Sequence, residues 1–147
     1  MEKFDILKKE YRLVYLQGLV MAGAPFLYWV LIQFFIQSSR SSNESITLLR
    51  YALYFMAAIH LIAIFFLKKI LLQKKPQDAL IVLVGKLKRS AMTTLALCEA
   101  PALYGLVLYF IGGSRVDFYI LVIYSLMLFG AFFPRLSQWE KYTAGAV

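Results

Sequence analysis

The chemistry that this sequence offers centres on one acidic residue inside a long apolar run. Glu99 lies about nine residues beyond Ser90, where the run begins, which places it roughly 14 Å along a helix. A charged carboxylate at that depth of a bilayer is costly unless it is protonated, paired or hydrated. Because intramembrane acids commonly bind a proton or a cation, Glu99 is the first candidate for an ion- or proton-binding residue.

His60 is the partner that depth predicts for Glu99. It lies about seven residues from the inner end of another apolar run, roughly 11 Å deep, so the two depths match. A hydrogen bond between them would stabilise a neutral pair or an ion pair, depending on hydration. The same bond could serve only to join two helices, at about 1 kcal/mol. The sequence leaves ion handling and helix joining open.

Other chemistry-bearing sets are missing from the sequence. It has one histidine, one cysteine and no glycine-rich phosphate loop. The single Cys98 cannot form an intramolecular disulfide and is interpreted as a small buried helix residue. We therefore expect a non-enzymatic protein without metal or cofactor; an enzyme acting on lipids at a basic membrane face is the less favoured alternative.

The elements that carry these residues are long apolar stretches. The 147 residues are 61% hydrophobic and only 16% charged, whereas soluble domains carry about 25% charged residues. Crossing a bilayer takes about 20 apolar residues. The sequence predicts a single-domain, all-α integral membrane protein with four transmembrane helices, near Leu13–Ile36, Leu49–Leu67, Ser90–Ile111 and Val116–Phe133.

The distribution of positive charge predicts the orientation. Of the 16 Lys and Arg residues, all but Arg40, Arg50 and Arg115 belong to the two termini and the middle loop. Positive flanks stay on the cytoplasmic side, so we expect a multi-pass protein of the cell (inner) membrane with both termini cytoplasmic. The net charge of +8 then indicates anionic lipid headgroups rather than nucleic acid. The predicted headgroup contacts are Lys68, Lys69, Lys74, Lys75, Lys86, Lys88 and Arg89.

An amphipathic stretch precedes the third apolar run. Leu80, Leu83, Val84 and Leu87 follow helical spacing. They predict either a short helix lying in the membrane interface or an extension of the third span.

The chain carries an internal repeat. A shift of 76 positions lays Ala24–Tyr28 on Ala100–Tyr104, including the prolines Pro25 and Pro101. The repeat predicts two like-oriented helical hairpins, residues 1–73 and 74–147. Each proline removes a backbone donor and kinks its helix, so we expect the bends to face protein or trapped water rather than lipid.

Small residues predict where helices approach closely. Gly18 and Ala22 form a small-xxx-small pair, Thr94 and Cys98 take the equivalent places in the second half, and Gly105 follows. Such faces pack within a protein or between protomers. We therefore expect a homo-oligomer or assembly with other membrane subunits, and the scarcity of polar lining argues against a wide channel.

The stretch Glu99–Leu106 resembles the ion-binding helix of the proteolipid (rotor-ring c or K) subunits of archaeal and vacuolar-type ATPases. In that family an acid precedes a similar Ala-Ile/Leu-Tyr-Gly-Leu run. The resemblance implies that Glu99 would carry a proton or sodium ion, with Tyr104 nearby. The leading interpretation of the whole sequence is a self-associating or accessory membrane subunit, and the alternative is an ion-translocating protein that uses Glu99.

Overall fold

The computed structural model describes residues 2–34, 44–73 and 79–144, and within these ranges all regular structure is helical. Asp5 is the first residue whose side chain is described. Helices α1 to α4 are long and apolar enough to cross a membrane, which confirms the predicted all-α class and the four apolar spans. The helices are α1 (Glu2–Phe34), α2 (Glu44–Leu71), α3 (Leu80–Phe110), α4 (Arg115–Phe132) and α5 (Leu136–Thr143).

Helix α3 begins well before the predicted span. The amphipathic stretch continues into it without a break, because Leu83, Val84 and Leu87 are buried against the other helices. Of the two alternatives for this stretch, the structure therefore has the extension of the third span. The short helix α5 has no counterpart among the predicted spans, and it is fixed by the buried Trp139.

Helix α3 is the centre of the fold. It packs against α1, α2, α4 and α5, and its most extensive contact is with α4. Among the described residues, α1 and α2 do not pack against each other. Consecutive helices therefore form a packed antiparallel hairpin in the second half of the chain, whereas α1 and α2 lie apart on different flanks of α3.

Each flanking helix contacts the centre through one narrow seam. Side chains that are buried or half-buried recur at alternating spacings of four and three residues on both α1 and α2. A 3.5-residue repeat is typical of helices that pack with a left-handed crossing. The seams are Leu7, Tyr11, Val14, Gly18, Met21, Pro25, Tyr28 and Ile32 on α1, and Ile46, Arg50, Leu53, Ala57, His60, Ile64, Leu67 and Leu71 on α2.

Outside the seams, large apolar side chains point away from the protein. Val20 is 76% exposed on α1, and Phe55 and Ile62 are similarly exposed on α2. An apolar surface this continuous is unusual on a monomer surrounded by water. Lipid tails are as apolar as these side chains, so the exposed faces suit a bilayer.

Helices α3 and α4 approach closely around the proline of α3. A Cβ atom at Gly105 would lie 3.2 Å from the Phe118 carbonyl oxygen, so only glycine fits here without a shift. Two turns from Gly105, the Ser125 hydroxyl donates to the Cys98 carbonyl at 2.6 Å. Because Pro101 lacks an N–H and disturbs this turn, Ser125 supplies a donor next to the break.

Candidate functional site

Glu99 receives its hydrogen bond from helix α1. The Tyr28 hydroxyl donates to Glu99 Oε1 at 2.5 Å. Helices α1 and α3 run parallel, since Gly18 lies beside Leu95 and Ile32 lies beside Tyr109. Helical side chains point back toward the N-terminus of their helix, which lets Tyr28 reach the level of Glu99.

His60 makes its hydrogen bonds elsewhere. Its Nδ1 lies 2.6 Å from the Met56 carbonyl oxygen, one turn earlier in α2, and its Nε2 lies 3.3 Å from the Tyr104 hydroxyl. A carbonyl only accepts, so Nδ1 carries a proton and donates, and in the neutral ring Nε2 accepts from Tyr104. The two rings meet edge to face with centroids 5.4 Å apart.

The predicted pair of Glu99 and His60 is not formed in the structure. The sequence predicts matching depths for the two residues, but their directions around α3 differ. Residues 99 and 104 lie about 140° apart on a helix, so Glu99 faces α1 while Tyr104 faces α2. Depth along the helices predicted His60 but could not predict Tyr28. Tyr28 and Tyr104 occupy equivalent positions in the internal repeat, and each bonds a side chain on a neighbouring helix.

Between these two tyrosine pairs lies an open face of α3. We call it the α3 cleft and define it by Ala96, Leu103 and Val107, with Glu99 on the α1 flank and Tyr104 on the α2 flank. Ala96 is exposed, and Leu103 and Val107 are 41% and 47% exposed. The face stays open because α1 and α2 do not meet over it.

Glu99 is only partly satisfied by its own chain. In the described part of the protein its hydrogen bond comes from Tyr28, to Oε1. The other oxygen, Oε2, has no hydrogen-bond partner among the described residues, and it is not enclosed by protein atoms. An acceptor is therefore left accessible at the edge of the α3 cleft.

No protein-family model, curated protein or solved structure matches this chain.

A second polar cluster, which the sequence argument missed, joins α2 to the start of α4. Asp117 accepts from Arg50 Nη2 at 3.1 Å and from the Tyr54 hydroxyl at 3.1 Å. The same carboxylate closes a capping box with Ser114. Asp117 is 7% exposed, so this acid is buried at the end of a span. The Ser-x-x-acid spacing was the signal that would have identified the cap.

The predicted packing residues are used within the chain. Gly18 lies against Leu95 and Phe133, where a Cβ would come within 3.2 Å of both side chains. Thr94 and Cys98 are buried, Ala22 packs at the edge of the same core cluster, and Gly105 contacts α4. Both prolines, Pro25 and Pro101, are fully buried. These small-residue faces are therefore occupied by helices of the same chain.

Several of the predicted headgroup lysines contact protein. Lys88 Nζ lies 2.9 Å from Glu10 Oε2, joining α3 to α1. Lys68 Nζ lies 4.9 Å from the centre of the Phe132 ring, a cation–π contact. These cations hold helices together at the end of the helix group where α1 starts.

The other predicted headgroup residues differ in position. Lys86 donates to the Gln73 carbonyl at 2.8 Å, while Lys69 and Arg89 are exposed. Lys74 and Lys75 lie outside the described residues. Within the described ranges, no group of three or more His, Cys, Asp or Glu side chains comes together.

Proposed function

We propose that this chain is a non-enzymatic integral membrane protein that acts as an accessory subunit, by binding a transmembrane helix of another subunit in the α3 cleft. The single observation that carries the proposal is the accessible oxygen of Glu99 at the edge of that cleft. The partner helix presents a hydrogen-bond donor or a positive charge at the depth of Glu99.

The chemistry of the bilayer supports a helix as the occupant. Lipid tails cannot hydrogen-bond an exposed carboxyl, which is therefore expensive to leave facing them. A helix is the element that enters lipid with its backbone hydrogen bonds satisfied. Ala96 and the half-buried Ala100 are small, and small residues let helices approach closely. The small faces predicted for association are already filled, which leaves this face for a partner.

The orientation forms part of the proposal. The excess of Lys and Arg at the termini and in the middle loop supports an orientation with both termini on the cytoplasmic side of the cell membrane. The parallel packing of α1 on α3 supports the interpretation of the repeat as a duplication of like-oriented halves, because equivalent segments then point the same way. Anionic headgroups are the proposed neighbours of the basic ends.

The test combines purification in mild detergent with one substitution in the cleft. Ala96→Phe fills the α3 cleft, and Ile123→Phe places the same aromatic side chain on the exposed face of α4. We expect a specific membrane subunit to co-purify with the wild-type chain and with Ile123→Phe, and to be lost from Ala96→Phe. A chain that purifies alone, or a partner that Ala96→Phe retains, contradicts the proposal. A particle containing only copies of this chain replaces the accessory role with self-association.

A second candidate function is the translocation of protons or sodium ions by Glu99. It is supported by the hydrogen bond that Tyr28 donates to Oε1, which holds the carboxyl while Oε2 stays open, and by the resemblance of Glu99–Leu106 to proteolipid subunits. His60 and Tyr104 lie on the opposite flank of the cleft. In reconstituted liposomes, Glu99→Gln abolishes ion flux without loss of assembly if this function is correct, and unchanged flux excludes it.

A further inference from the structure

A groove runs along the first turns of α1. It has a cavity volume of about 810 Å³ and is closed on one side by Leu136 at the start of α5. Three cations line it, Lys8, Lys9 and Arg12, against one acid, Asp5. The groove is therefore net positive, and its lining contains none of the middle-loop residues that the sequence assigned to lipid headgroups.

Two of these cations are available to a ligand. Lys9 and Arg12 are exposed, and neither makes a hydrogen bond or an ion pair in the described part of the chain. Positions 9 and 12 are three residues apart, so the two side chains lie on one face of the helix. A phosphate between them would receive charge-assisted hydrogen bonds from both.

The rest of the groove is apolar. Leu13 and Leu16 line it and are 45% and 52% exposed. Residue 16 lies roughly 6 Å further along the helix than Arg12, toward the middle of the span. Cations at one end of the groove and leucines along it match the order of chemical groups in a phospholipid, from phosphate to acyl chain.

Aromatic contacts fix the walls of the groove. The Tyr11 hydroxyl donates to the Pro134 carbonyl at 3.2 Å, and its ring meets that of Trp139 edge to face at 5.6 Å. Tyr15 meets Phe133 in the same way at 5.4 Å. These contacts hold α1 against the segment before α5 and α5 itself, so the groove exists before a ligand binds. Preorganisation of this kind reduces the cost of binding.

We propose that this groove, the α1 groove, binds one anionic phospholipid, with the phosphate on Lys9 and Arg12 and an acyl chain along Leu13 and Leu16. The proposal requires the membrane setting and does not depend on the partner helix in the α3 cleft. A water-soluble phosphate ester shares the headgroup chemistry but lacks the chain that would contact the leucines.

The experiment titrates phosphatidylglycerol into the purified full-length protein in mild detergent and counts bound lipid by native mass spectrometry. Lys9→Gln with Arg12→Gln removes the two phosphate contacts. Arg115→Gln with Lys141→Gln removes the same two charges from exposed positions that neither line the groove nor belong to the predicted headgroup contacts. Each cation near an anionic lipid contributes about fivefold in affinity, so we expect about 30-fold weaker binding for the groove variant and a change of less than about twofold for the control.

Two further arms separate the possible sources of the phosphate. We expect phosphatidylcholine to bind the wild type more weakly than phosphatidylglycerol, and glycerol 3-phosphate not to displace the lipid. The circular dichroism of each variant checks that its helices are intact. Equal losses for the groove and control variants would overturn the proposal, because they would indicate attraction by net charge alone. Displacement by glycerol 3-phosphate at equal concentration would overturn it too, because the leucines would then contribute nothing.

Discussion

Replacement of one glycine by alanine tests the central contact between α3 and α4. At Gly105 an added Cβ would lie 3.2 Å from the Leu121 Cβ and 3.2 Å from the Phe118 carbonyl oxygen. Both atoms belong to or adjoin the main chain of α4, so they move only if that helix moves. Gly85, on the same helix, has nothing within 4 Å of the corresponding position and is the matched control.

The two substitutions are expected to change the free energy of unfolding in opposite directions. Alanine is favoured over glycine within a helix by about 1 kcal/mol, and Gly85→Ala should gain up to that amount. Gly105→Ala gains the same propensity but forces extra volume into a filled contact, which typically costs about 1 to 3 kcal/mol. We therefore expect Gly105→Ala to have the lower free energy of unfolding, by about 1 to 3 kcal/mol relative to Gly85→Ala.

The free energy of unfolding can be measured by titration with SDS in mixed micelles, followed by circular dichroism and by the combined fluorescence of Trp29 and the buried Trp139. Comparison of two glycines on one helix cancels the helix-propensity gain that the substitutions share. If Gly105→Ala proves as stable as Gly85→Ala, the close approach of α3 and α4 is refuted.

Three further predictions concern individual side chains. Ser125→Ala removes the donor to the Cys98 carbonyl and should cost about 1 kcal/mol in the same SDS titration, with the exposed Ser137→Ala neutral; equal effects would show that the hydrogen bond does not matter. Asp117→Ala loses the helix cap and its bonds to α2 and should cost about 1 to 2 kcal/mol, whereas Asp5→Ala should change stability by less than about 0.5 kcal/mol. The thiol of Cys98 has no exposed surface, so maleimide should label it only after unfolding, and rapid labelling of the native protein would contradict its burial.

The spans could be predicted from the sequence because hydropathy is a property of each stretch by itself. The predicted start of the third span, near Ser90, lies after the observed start of α3 at Leu80. The turns before Ser90 mix lysines with leucines, and leucines such as Leu83 and Leu87 are buried by other helices. Only the packed structure reveals that burial. Helix α5 is held by contacts of Trp139 with Tyr11, more than a hundred residues earlier in the chain, which no local pattern encodes.

The candidate site, too, could be predicted from the sequence only in part. Glu99 stands out in the sequence because an acid within an apolar run is rare. Its partner depends on the direction in which the side chain leaves α3 and on the helix found there. The depth of Glu99 in its span predicted His60 as the partner, whereas the direction of the Glu99 side chain brings it to Tyr28. The internal repeat contained part of the answer, since it aligned Tyr28 with Tyr104, and both tyrosines bond to the two residues in question.

We infer that α3 is the middle of a membrane-embedded helix group and keeps one face open between α1 and α2. Spin labels at Leu103 and Val107 test it, in lipid nanodiscs that hold one copy of the chain, with the fully buried Leu108 as the control. We expect frequent collisions with oxygen and rare collisions with a water-soluble nickel chelate at the first two positions, and rare collisions with both at Leu108. Low oxygen collision at all three positions would mean that α1 and α2 close over α3, and frequent nickel collision at Leu103 would mean that this face meets water.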